Sequence, residues 1–228
     1  VMGMMKYTIF TLVSYVEYLA IFALMFSAFK INYRWYKAEI IFVCATLTCV
    51  SLVMRENALT MYTSLVQLLL WIIYSWLLFR FSLLHAAIVT VCSYLAYGLI
   101  QSGVAIIALQ FVADLEPMTL RTHTVALLSG WIAFSIAYWI YRRNWGFSFV
   151  PVEREAYMND DKRSNVLFIF AIVSSIISIF VVYIVLVVYG DTQRFLIMMV
   201  TILLCLSVLI YLAAKMEIRK YAKRKEFK

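Results

Sequence analysis

Glu17 is the one acidic residue set deep inside a long apolar run of this 228-residue chain. A carboxylate at membrane depth is costly to hold and marks a functional site by default. Gln67, Gln101 and Gln110 lie in or at the edges of other apolar runs, with Asn57 between two of them. Together with Glu17 they form a candidate pocket for a polar group of a ligand entering from outside. The alternative is hydrogen bonding that only joins helices. For Glu17 both readings stand open; for the glutamines the joining role is preferred. A second polar cluster is Asp114-Leu115-Glu116-Pro117 with Arg121 and His123 just after it. It could contact a ligand, but ordinary solvated loop charge is the preferred reading for most of it. His85 and Cys92 are seven residues apart, which puts them on one helix face two turns apart. A Cys–His pair can act as thiol nucleophile and base. A free Cys more often packs as a small hydrophobe, and that reading is preferred here.

The elements that must carry these residues follow from composition. The chain is 65% hydrophobic and 14% charged, against about 45–50% and about 25% in soluble domains. That excludes a water-soluble globule and a disordered chain. A bilayer crossing takes roughly 20 apolar residues. Seven runs qualify or nearly so: Tyr7–Phe29, Ala38–Met54, Ala58–Phe79, Phe81–Ala113, Thr122–Tyr141, Ser164–Gly190 and Phe195–Ala214. The second is short, with Glu39 at its edge. The fourth would be about 50 Å long as a helix, against a hydrocarbon core of about 30 Å. It must tilt, break near Gly98 or Gly103, or leave the bilayer. Period-two alternation is absent, so the fold class is all-α, a polytopic bundle of seven transmembrane helices.

Orientation follows from the basic residues. With the C-terminus in the cytoplasm, all 20 Lys and Arg lie inside except Lys6, Arg55, Arg121 and Arg194. Cytoplasmic loops carry this excess, so the N-terminus is placed outside, and the net charge of +8 implies membrane topology and no nucleic acid. Residues 1–214 form the membrane domain and 215–228 a basic helical extension. Trp145, Phe147 and Phe149 in the longest inner loop can rest on the interface. From Phe195 to Lys228 there is no Gly or Pro, so the last helix can run on past the membrane. Tyr211, Ala214, Ile218, Tyr221 and Lys225 have alternating three- and four-residue spacing, a possible dimer seam. The basic tail also suits anionic headgroups. No cofactor or metal motif is visible: His123 is alone on its side, and the four cysteines lie within apolar runs.

Two resemblances bear on function. The His85–Cys92 spacing resembles membrane peptidases of the accessory gene regulator B type, which process peptide pheromones. Their Arg-then-Gly-Gly lead-in is replaced here by Arg80-Phe81-Ser82-Leu83-Leu84. The multi-span layout, with Leu78-Phe79-Arg80-Phe81 and Ser93-Tyr94-Leu95-Ala96-Tyr97-Gly98-Leu99-Ile100-Gln101, resembles the sensor region of Gram-positive quorum-sensing histidine kinases. These are the accessory gene regulator C and competence D group, whose kinase portions carry a GHKL-type ATPase. That resemblance implies a sensor domain in a bacterial plasma membrane. It would detect an extracellular peptide or small ligand, dimerise through its last helix, touch membrane lipids and feed a cytoplasmic kinase absent from this sequence. A thiol peptidase using His85 and Cys92, or a small transporter or accessory subunit, are the alternatives.

Overall fold

The computed structural model describes residues 2–56, 60–111, 119–148, 173 and 191–226. Among them all regular structure is helical. The helices are α1 (Met2–Ala28), α2 (Lys37–Glu56), α3 (Thr60–Leu77), α4 (Leu83–Leu109), α5 (Leu120–Arg142) and α6 (Asp191–Glu226), with a 3-10 turn at Tyr33–Tyr36. The sixth apolar run, residues 164–190, lies outside the described residues except for Val173. The stretches Tyr7–Ala28, Tyr33–Arg55, Leu83–Leu109 and Leu120–Arg142 are long and apolar enough to cross a membrane; Tyr62–Leu77 and Met199–Lys215 are apolar but shorter. The doubtful second run is thus a continuous helix. Its Glu39 sits in the first turn of α2, where the helix dipole favours a carboxylate. The long fourth run does not break: Gly98 and Gly103 lie within one 27-residue helix.

Local signals in the sequence set the helix ends. Lys30 takes a left-handed conformation (φ 51°), and the Ile31 N–H donates to Phe26 O at 3.0 Å, a Schellman stop for α1. Asn144 (φ 52°) stops α5 the same way, with the Trp145 N–H on Ile140 O at 3.1 Å. Ser82 and Thr119 cap the starts of α4 and α5, their hydroxyls accepting from the N–H groups of His85 and Thr122. Within the helices, Thr48, Ser93, Ser102 and Ser129 donate to carbonyls four residues back. This satisfies hydroxyls where lipid would not.

Two contact layers fix the bundle. At one end Phe10 of α1 meets His123 of α5, with ring centroids 6.3 Å apart, and the Arg55 guanidinium of α2 lies 4.7 Å over Phe10. At the other end Phe26, Tyr36, Phe79 and Phe81 interlock, and the Phe147 N–H donates to Ala28 O at 2.7 Å. Gly146 permits that return. Its φ is +136°, and a Cβ there would stand 2.5 Å from Ala28 O. Phe147 is therefore tucked against Phe29 (5.9 Å), not spread on the interface. So α1 and α5 run parallel and α2 runs against them. Small residues let α1 and α5 approach: Ala126, Ser129, Gly130, Ala133 and Ala137 form the buried stripe of α5, the membrane style of packing. α6 rests on α4 through Ile202, whose Cδ1 lies 3.4 Å from where a Gly98 Cβ would be.

Outward faces are apolar, including Leu12, Phe42, Ile107, Trp131 and Leu204. Soluble monomers rarely expose contiguous apolar patches beyond a few hundred Å². The composition, the spanning-length helices and this exterior fit a membrane protein.

Candidate functional site

Glu17 lies mid-way along α1 and turns into the bundle. Its Oε1 accepts from the Tyr97 hydroxyl and from Gln101 Nε2, each at 3.0 Å. Tyr97 and Gln101 are one turn apart on α4, so a single helix face presents both donors. Arg55 lies within electrostatic reach of the carboxylate. Its Nε is buried and has no hydrogen-bond partner among the described residues. Beside this group, Tyr18 hydrogen-bonds Ser51 of α2, and the Tyr94 hydroxyl reaches Ser64 O of α3 at 3.5 Å.

α3 closes the site. Gln67 and Trp71 are four residues apart and share a face. Both are buried, and both Gln67 Nε2 and Trp71 Nε1 lack a hydrogen-bond partner. The Trp71 ring packs on Phe22 at 4.8 Å, Tyr18 at 5.9 Å and Tyr94 at 6.5 Å, which seats it beside Glu17's neighbours. The arrangement is one intramembrane carboxylate with two satisfied bonds, ringed by aromatics. Among the described residues three buried donors, Gln67 Nε2, Trp71 Nε1 and Arg55 Nε, have no hydrogen-bond acceptor. Orphaned buried donors are uncommon and each calls for an explanation.

The residues singled out by sequence separate into two groups. Glu17 and Gln101 are brought into direct contact, and Gln67 is buried on α3. Gln110 is the exposed C-cap of α4. His123 is buried against Phe10 at the Arg55 end, while Arg121 is exposed. Asp114, Glu116 and Asn57 lie outside the described residues. Tyr97, Tyr18 and Trp71 were not singled out. The legible signal for Tyr97 was its i, i+4 relation to Gln101.

His85 and Cys92 take separate environments. His85 Nδ1 is 2.7 Å from Ser82 Oγ at the start of α4. Cys92 is 7% exposed and belongs to the hydrophobic core. Seven residues of helix separate their backbones by roughly 10 Å, and the His85 ring is engaged by Ser82, on the side of the helix start away from Cys92. A water-soluble maleimide is therefore expected to leave Cys92 unlabelled in the folded protein. Rapid labelling, together with a peptide-cleaving activity lost in Cys92→Ala, would return the pair to a catalytic role.

No protein-family model, curated protein or solved structure matches the chain. The class that fold and site define is a helical membrane-type bundle with a half-buried carboxylate on α1 hydrogen-bonded to α4.

Proposed function

We propose that this chain is the sensor domain of a bacterial plasma-membrane receptor. It has seven spans, an external N-terminus and a cytoplasmic C-terminus, and passes a signal through α6 to a cytoplasmic histidine-kinase output; the chain is not itself an enzyme. The observation that carries the reading is the position of Glu17. It holds Tyr97 and Gln101 on α4, and α4 bears α6 at Gly98, within the same turn. A ligand that competes for those bonds would move the helix on which α6 rests. Binding shifts such an equilibrium only through different affinities for the two states. The unpartnered donors of Gln67, Trp71 and Arg55 favour a ligand offering acceptor oxygens, as the carbonyls of an extracellular peptide do. The exposed Arg121, with Asp114 and Glu116 of the adjoining sequence, would then belong to the approach from outside.

A dimer is part of the same reading. Ile202, Leu209 and Ala213 of α6 are buried, while Val200, Leu204, Tyr211 and Ile218 on its other side are exposed. Ile218 lies past Lys215, where headgroups and water replace lipid tails. A second copy would cover that seam.

Topology supplies the first test. Lys30, Arg34, Arg80, Arg142 and Arg143 belong to the bundle end opposite Arg55 and His123. Reporter fusions are expected to place the 142–163 loop and the tail in the cytoplasm. An external signal from either would defeat the orientation and, with it, the route from α6 to a cytoplasmic output. The route itself is tested with the chain joined at Lys228 to a dimerisation-dependent reporter. Output should change in Glu17 variants, and unchanged output would sink the sensor reading.

A further inference from the structure

We infer that the groove between the C-terminal ends of α1 and α5 is a binding site for the headgroup of an anionic phospholipid. The groove encloses about 330 Å³ and is lined by Phe26, Ser27, Lys30, Ile31, Asn32, Tyr33, Arg34, Tyr141, Asn144 and Trp145. It carries two cations, Lys30 and Arg34, two amide side chains and, among the described residues, no acidic side chain.

Cations at helix C-termini ordinarily complement the helix dipoles, and that reading can be weighed. Each dipole amounts to about half a negative charge, so the two ends together call for about one cation. Lys30 and Arg34 alone line the groove, and Arg142 and Arg143 follow at the end of α5, with Arg143 over the Trp139 ring at 5.4 Å. The last carbonyls are also already bonded by backbone: Phe26 O by Ile31, Ala28 O by Phe147, Trp139 O by Arg143 and Ile140 O by Trp145. The positive charge therefore exceeds what the helix ends can use, and its side-chain donors suit phosphate oxygens, for which the Arg guanidinium fork is well shaped.

A lipid is favoured over a free anion by what borders the groove. Tyr33, Tyr141 and Trp145 are exposed at its mouth, as aromatics are at headgroup level. The Trp145 ring meets Trp139 edge-on at 4.8 Å. Trp139 in turn lines an apolar depression of about 390 Å³ on α5 with Trp131, Ile132, Ser135 and Ile136. The headgroup site thus adjoins an apolar surface able to receive an acyl chain. Placing the site in the cytoplasmic leaflet rests on the proposed topology; the binding does not.

The test uses the full chain purified in a zwitterionic detergent, with retained lipid read by native mass spectrometry. Phosphatidylglycerol is expected to be retained in preference to phosphatidylcholine. The double variant Lys30→Asn, Arg34→Gln should bind it about thirtyfold more weakly, from the usual contribution of two basic residues at an anionic surface. Asn tolerates the left-handed backbone at position 30. The charge-keeping pair Lys30→Arg, Arg34→Lys is expected to retain most of the binding, and Arg121→Gln at the opposite end all of it. Equal retention of both lipids would overturn the proposal. So would parental affinity in the neutral double variant, or the same loss in the charge-keeping pair. Inorganic phosphate that displaces the lipid at millimolar concentration would reassign the groove to a free anion.

Discussion

Glu17→Leu is expected to lower the stability of the bundle in detergent by about 1–3 kcal/mol, while Glu17→Gln costs under about 1 kcal/mol. The leucine strands the Tyr97 hydroxyl and Gln101 Nε2, which both donate to Glu17 Oε1 at 3.0 Å. Hydrogen bonds between membrane helices average about 0.6 kcal/mol, and an abandoned donor adds its own burial cost. Glutamine keeps an oxygen where Oε1 stands and replaces the other oxygen by an NH2 group. Thermal unfolding gives the first readout. The distance between labels on α4 and on the tail of α6 gives the second. In the sensor reading, both variants alter that distance or the reporter output, because both change the group that holds α4 at the turn beneath α6. Loss of stability in Glu17→Leu with normal output in Glu17→Gln would make Glu17 a structural joint, and the ligand site would have to lie under the 114–121 loop. No change of either kind in either variant would remove Glu17 from function altogether.

The second large effect is expected at Trp71. It is fully buried and packs on Phe22, Tyr18 and Tyr94. Trp71→Ala leaves a cavity where helices α1, α3 and α4 meet, and should cost about 3–5 kcal/mol, the usual range for a buried Trp. Trp71→Phe retains most of the ring contact and removes an N–H that has no partner. It should therefore cost much less than the alanine. A ligand that uses that N–H would bind Trp71→Phe more weakly although the fold survives, which separates packing from recognition. Equal destabilisation by Phe and Ala would show that the indole N–H is bonded in the folded protein.

Helix type and position were legible because lipid imposes a simple rule: long apolar runs with backbone bonds satisfied internally. The runs at Tyr7–Phe29 and Thr122–Tyr141 became α1 and α5 with ends displaced by few residues. The displacement came from local chemistry, the left-handed Lys30 and Asn144 with their backward hydrogen bonds. Glu17 could be singled out from sequence alone, since a carboxylate in an apolar run has few reasons to be there. Gln101 could be named beside it, but not paired with it.

The sequence by itself determined that the chain is helical, membrane-like in composition, net basic, and marked by one acid deep in an apolar run. Those properties are local or additive, so counting residues along the chain recovers them. Only the tertiary structure decided that Tyr97 joins Gln101 on Glu17, that Trp71 closes the site from α3, and that Arg55 turns inward over Phe10. It alone brought the ends of α1 and α5 together around Lys30 and Arg34. The physical reason is that apolar periodicity says nearly nothing about which face meets which helix when both lipid and core are apolar. That choice rests on where small residues permit close approach, as along Ala126–Ala137, and on where a few polar groups find partners across a distance of eighty residues.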